Sequence, residues 1–288
     1  MQPLYALLAA AGVAGYPFLE ARLFRIKHLK VQLERPVPRL TVLHISDTHL
    51  VAHNHALIRF LKTIPGRIAI PDIVLATGDL IDDNSGITPI TRLLNDLPAR
   101  LGRFYVLGSH DYYQTRFRSF FKYFGDYRAV VPPSTTADTK ALEQSLQMDG
   151  WVSLTNRTHH LHSPAGTIRL AGVDDPYLNK HDTTHIERAR DEVLAIGLAH
   201  SPDVVSEWVL NGFDLVVSGH THGGQVRVPG IGALVTNSSL PSALAGGLHQ
   251  IGGGFLHVSP GLGTGKFSPI RFNCRPEVTL LEIGSRST

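Results

Sequence analysis

The stretch LTVLHISDTH occupies residues 40–49. Its first six residues carry no charge and mix β-branched and aliphatic side chains with one imidazole, His44. A run of that kind, without polar alternation, reads as a strand buried on both faces. The chain then turns polar at once, through Ser46-Asp47-Thr48-His49. The same pattern recurs. DIVLAT (72–77) runs into Gly78-Asp79-Leu80-Ile81-Asp82, and RFYVLG (103–108) runs into Ser109-His110-Asp111. AIGLAH (195–200) ends in His200, and DLVVSGH (214–220) continues through Thr221-His222-Gly223-Gly224. Helical stretches at 55–64, 87–97 and 202–211 separate these runs, and later strands are expected at 254–258 and 277–283. Buried strands alternating with helices define an α/β fold.

In open α/β sheets, ligands bind beyond the carboxyl ends of the strands. Five strand ends would therefore bring Asp47, His49, Asp79, His200, His220 and His222 to one edge. Asp47 and His49 sit two apart, so in an extended segment both side chains point the same way and grip one ion. His220 and His222 repeat the device. Mixed carboxylate and imidazole donors suit Mn, Fe or Zn rather than Ca. Two such ions clamp the attacking and leaving oxygens of a phosphoryl displacement and lower the pKa of a bound water. Singly, each element has a plainer reading: a Gly-Asp turn, or a satisfied core histidine such as His44. His159, His160 and His162 read as exposed in a polar hairpin. The ordered set is what points to a shared metal site.

With five blocks in this order, residues 38–284 resemble the calcineurin-like metallophosphoesterase superfamily. Within it they are similar to the membrane-associated bacterial branch of YkuE- and YaeI-type phosphodiesterases. The resemblance implies a four-layer α/β/β/α sandwich. It implies that Asp47, His49, Asp79 and His222 hold a first divalent ion. Asp79 then bridges to a second, held also by His200 and His220. In the third block the family's Asn ligand is here Ser109, which weakens the second site. His110 is implied to contact the phosphate and protonate the leaving group, with Asp111 orienting it. The implied activity is hydrolysis of a phosphodiester by in-line attack of a metal-bound hydroxide. A pyrophosphatase of a nucleotide-linked lipid is one alternative. A non-catalytic interaction scaffold is another, favoured only by Ser109.

Composition bounds the rest. With 43% hydrophobic and 18% charged residues among 288, a large core is expected and disorder is not. One cysteine, Cys274, excludes an internal disulfide and a Cys-based zinc site. Basic groups cluster in residues 20–39, and the rest of the chain is close to neutral, so no nucleic-acid polymer is expected as partner. Residues 1–19 hold no charge until Glu20 and read as a membrane anchor or a helix packed on the domain, the anchor being preferred. Residues 20–38 then form a basic linker ended by Pro36 and Pro38, and 39–288 form the catalytic domain. The basic flank places that domain in the cytoplasm, at a membrane. A lipid-linked phosphoester would suit such a position. Residues 112–124, YYQTRFRSFFKYF, form either a substrate wall or an amphipathic helix, the helix being favoured. Arg116, Gln225 and Arg227 are candidate phosphate contacts, and 131–140 is the expected internal loop.

Overall fold

The structure, a computed structural model, describes residues 15–114 and 135–286. The quoted stretch forms β2 (Leu40–Ile45), which pairs in parallel with β3 (Ile73–Thr77). β4 (Gly102–Val106) and the short β5 (Val152–Ser153) extend that parallel run. On its other side β2 pairs antiparallel with β14 (Glu277–Ser285), which pairs in parallel with β1 (Arg25–Leu33).

A second six-stranded sheet runs β12 (Gly247–Ile251), β13 (Gly254–Val258), β9 (Leu215–Ser218), β8 (Glu192–Leu198), β7 (Gly166–Gly172) and β6 (Arg157–Ser163). Its four inner strands are parallel and its two edges antiparallel.

Alternation along each strand builds the layers. In β2, Leu40 and Val42 join a core with Ile73 and Leu75 of β3 and with Ile196, Leu198, Leu215 and Val217 of the second sheet. This is the interface between the sheets. The opposite faces, through Leu43, Ile45, Val74 and Ala76, meet α1 (His55–Thr63), α2 (Ile87–Asn95) and α4 (Thr139–Met148). α5 (Val205–Leu210) covers the far face of the second sheet through Val205 and Trp208. The order is helices, sheet, sheet, helices, the expected α/β/β/α sandwich.

Residues 25–33, expected as part of a linker, are instead edge strand β1. Its charges hid a period of two: Leu29, Val31 and Leu33 face the inter-sheet core while Lys30 and Gln32 face out. Charged residues on an outer edge also block unwanted strand pairing. The third polar block is likewise not extended, because Ser109–Tyr112 form one helical turn, α3. Residues 1–14, most of 112–124, and 131–134 of the expected loop lie outside the described residues. No helix among the described residues is long and apolar enough to cross a membrane.

Candidate metal centre

The site lies between the two sheets. β2, β3 and α3 bring Asp47, His49, Asp79 and His110 from the first, and β8 and β9 bring His200, His220 and His222 from the second. Three overlapping groups have ligand atoms within 4.8 Å of one another: Asp47–His49–His222, His49–Asp79–His110 and Asp47–Asp79–His200. Asp47, His49 and Asp79 each belong to two groups, so the donors form one continuous cluster.

The backbone is strained where this cluster sits. Ten described non-glycine residues have positive φ. Four are asparagines, which tolerate that region; the other six are Asp47, His49, Asp79, His220, His222 and Gln225. Each such residue costs about 1–3 kcal/mol and persists only where its surroundings impose it. Two glycines permit the close approach. A Cβ on Gly108 would lie 2.4 Å from Asp79 Oδ1, and one on Gly219 would lie 2.1 Å from Asp47 Oδ2.

Hydrogen bonds fix the imidazole tautomers. His200 Nδ1 donates to Thr77 O at 2.7 Å, which leaves the lone pair on Nε2. That Nε2 is buried, makes no hydrogen bond among the described residues, and lies 3.4 Å from Asp79 Oδ2. His49 Nδ1 meets Asp82 Oδ1 at 3.0 Å, which directs Nε2 to a point 3.5 Å from the same Asp79 oxygen. His220 Nε2 donates to Asn237 O at 2.9 Å, which leaves Nδ1 as its free lone pair. His222 Nε2 stands 3.1 Å from His49 Nε2 and 3.8 Å from Asp47 Oδ1. Imidazole nitrogens and carboxylate oxygens thus converge on one place, which protons or a metal cation can fill.

Charge says the same. Burial pushes the Asp47 carboxyl up, whereas Asp79 is held well below the ordinary range by His200 and His110 despite its burial. Burial pulls His49 down, but the Asp82 hydrogen bond and the nearby carboxylates outweigh it and raise it to about 9. His200 is raised as well, by Asp79, against its own burial. Burial lowers His220 to about 4 and pushes His222 down. In the metal-free protein, protons on His49 and His200 stand where divalent cations fit. Asp47, His49, Asp79, His200 and His222 suit such ions as direct ligands, with His220 alongside.

The third block departs from expectation. Asp111 does not orient His110. Its Oδ1 accepts from Leu80 N at 2.8 Å and its Oδ2 from Gly108 N at 3.0 Å, so it is a buried brace for two strand-end loops. The carboxylate beside His110 is Asp82, 3.4 Å from Nδ1 and shared with His49. In a helical turn consecutive side chains diverge by about 100°, so neighbours in sequence do not face each other. Ser109 lies between Gly108, packed on Asp79 and His200, and His110, whose amide donates to Asp79 Oδ1 at 2.8 Å. Its hydroxyl makes no hydrogen bond among the described residues.

Of the candidate phosphate contacts, the two described ones, Gln225 and Arg227, bond elsewhere. Gln225 donates its amide to Ser268 O and Ile270 O and ties down a loop. Arg227 bonds Gly223 O and lines a separate cavity of about 590 Å3 with Tyr16, Arg25, Lys27 and Cys274. Arg116 lies outside the described residues. Three features went unread in the sequence. Beyond β7, Asp175 is fully buried with Oδ2 unpartnered among the described residues, and burial raises its carboxyl to about 7. Tyr177 of the same loop packs 5.1 Å from His220. Arg271, fully buried, donates to the carbonyls of Pro260, Gly261 and Gly263, in the loop that packs on Asp47 and Thr48. The VDDP carboxylates at a strand end were the available signal for Asp175.

A cluster of buried carboxylates and imidazoles at the strand ends of a two-sheet sandwich is the mark of a metal-dependent phosphoesterase. The calcineurin-like phosphoesterase profile matches residues 40–224, and the chain belongs to that family. Several relatives match along most of both chains. The uncharacterized metallophosphoesterase YkuE of Bacillus subtilis (strain 168) is 29% identical over 85% of this chain and 79% of its own. The phosphodiesterase YaeI of Escherichia coli (strain K12) is 27% identical over 74% and 70%. The UDP-2,3-diacylglucosamine pyrophosphatase LpxG of Chlamydia trachomatis serovar D is 30% identical over 91% and 90%. The chain is accordingly a metallophosphoesterase, an enzyme of phosphoester hydrolysis.

Proposed function

We propose that the chain is a binuclear phosphodiesterase in which Asp79 is shared between two divalent ions. The observation that carries this reading is the position of Asp79 Oδ2, within 3.5 Å of both His49 Nε2 and His200 Nε2. Asp47, His49 and His222 would hold one ion, and His200 and His220 the other, with Ser109 or a water completing the second set. When bound, such ions supply Lewis acidity and an activated water near neutral pH.

The protein's own groups supply the remainder. Asp82 holds His110 Nδ1, which leaves Nε2 to give a proton to the departing oxygen. Asp82 is kept ionised, far below the ordinary carboxyl range, because His110 and His49 outweigh its burial. His110 is about 30% exposed at its side chain, so the ring reaches the cleft while its partner stays buried. Asp111 and the His110 amide fix the turn that carries the ring.

A lipid-linked pyrophosphate is the second reading. The similarity to LpxG along nearly the whole chain supports it. So does the exposure of Tyr16, Phe18 and Leu19 where the uncharged N-terminal run joins the domain.

The test is hydrolysis of bis-p-nitrophenyl phosphate by manganese-loaded protein, with Asp79→Asn as control. The expected result is turnover in the wild type and a loss of about a thousandfold or more in the variant, since removing a single essential group costs enzymes on that scale. Equal turnover in both proteins would overturn the assignment.

A further inference from the structure

The inter-sheet core changes character in its last layer beneath the metal cluster. In β2 the face that carries Leu40 and Val42 next carries His44. In β3 the face that carries Ile73 and Leu75 next carries Thr77, and in β13 His257 shares its face with Phe255. All three polar residues are fully buried, as is Ser46. They touch in series. His257 Nδ1 lies 2.9 Å from His44 Nδ1, and His44 Nε2 lies 2.8 Å from Thr77 Oγ1. Thr77 Oγ1 donates to Ser46 Oγ at 2.7 Å, and Ser46 Oγ donates to Asp47 Oδ2 at 2.5 Å.

The proton count along this chain gives it a direction. Asp47 accepts, so the Ser46 hydrogen points at it, and a Ser46 lone pair takes the Thr77 hydrogen. Thr77 then accepts from a hydrogen on His44 Nε2. A neutral His44 with Nε2–H has its lone pair on Nδ1, which accepts from His257 Nδ1–H. His257 Nε2, which has no partner among the described residues, carries only a lone pair. The reverse order would leave an orphaned N–H there, the rarer defect of the two in a protein interior. Burial keeps both rings neutral, with His44 pushed down to about 3 and His257 well below its usual value. A neutral pair is what the directed chain requires.

We infer that His257, His44, Thr77 and Ser46 form a positioning chain that aims and fixes the Asp47 carboxylate, and so pre-organises the metal centre from within the inter-sheet core. The inference rests on Asp47 being a metal ligand. The first three residues bridge the two sheets, β13 on one side and β2 and β3 on the other. The chain therefore couples the packing of the two halves to the orientation of a ligand they share. None of its four members touches substrate, and their effect is felt through Asp47 alone. Partners behind a metal ligand typically change affinity by about 10–100-fold when removed.

The test is manganese titration of the full chain by calorimetry. Thr77→Val keeps the side-chain shape and removes the middle link. His257→Leu removes the far donor, and His257→Asn retains a donor at the same place. Thr77→Val and His257→Leu are each expected to weaken binding about tenfold. The double variant should lose little more than either single, because both interrupt one chain. His257→Asn should recover most of the loss. Nitrogen NMR of the metal-free protein should show the Nε2–H tautomer at His44 and the Nδ1–H tautomer at His257. Unchanged affinity in both single variants, losses that add, or the opposite tautomers would overturn the inference. If His257→Leu fails to fold, Ser46→Ala paired with Thr77→Val gives the same cycle. Asp47→Asn separates the premise from the inference: if it leaves manganese binding intact, the assignment of Asp47 as a ligand fails first.

Discussion

The two sheets contribute unlike halves to one site. The first gives both carboxylates of the cluster, Asp47 and Asp79, together with His49 and His110. The second gives imidazoles only. Electrostatics divides along nearly the same line. His49, among carboxylates, rises to about 9, whereas burial lowers His220 to about 4. His200 is the exception, because it reaches across to Asp79 and is raised with it. Neither half suits a dication alone. The first supplies charge, the second supplies at His220 and His222 lone pairs that are already free of protons, and in the proposed reading divalent ions would join them.

That contrast can be broken at the first half's catalytic edge. His110→Ala is expected to lower kcat by about a hundredfold or more while metal content is unchanged, in line with loss of a general acid. Asp82→Asn should lower it less, by about tenfold. Steady-state rates beside elemental analysis check both. Equal rates for Asp82→Asn and wild type would remove Asp82 from its orienting role.

A pH series sharpens the same contrast. Below about 9 the metal-free His49 is protonated and must lose that proton to bind an ion. Metal affinity should therefore rise about tenfold or more per pH unit from 6 to 8 and level off above 9. His220 is neutral throughout that range and contributes no slope. Calorimetry in buffers of different ionisation enthalpy counts the protons released.

How much of this was legible in the sequence depends on the kind of signal. The strand ends were plain, because unbroken apolar runs such as LTVLHI and DIVLAT stop at abruptly polar residues. β1 was hidden because Arg25, Lys27 and Lys30 fall on both of its faces, so only Leu29, Val31 and Leu33 keep the apolar period of two, and a count of charges reads the segment as a linker. Asp82 was passed over because the resemblance implied Asp111 as the acid that orients His110, and the turn at Ser109–Tyr112 rotates Asp111 inward instead. Asp175 was missed because β7 is no apolar run: it carries Thr167 and a buried Arg169. The relay behind Asp47 involves β13, more than 200 residues from His44, and no local pattern announces such a pairing.

Smaller effects probe the second half. Ser109→Asn offers an amide oxygen in place of a hydroxyl, and should raise occupancy of the weaker site several-fold at limiting metal, read by equilibrium dialysis. Asp175 tests the buried rim near His200. Its folded value of about 7 exceeds the ordinary 3.8, so the folded chain holds a proton there that the unfolded chain lacks. The stabilising contribution is full below about pH 4 and is lost as pH rises to 7. Asp175→Asn should accordingly raise the melting temperature of the metal-free protein by a few degrees at pH 8 and leave it unchanged at pH 4.

The central claim is that Asp79 joins two ions across the halves. Metal content per chain, measured by elemental analysis after reconstitution with manganese, tests it most directly. The account predicts two ions in the wild type and fewer than one in Asp79→Asn. Two ions retained in the variant, or none in the wild type, would contradict it.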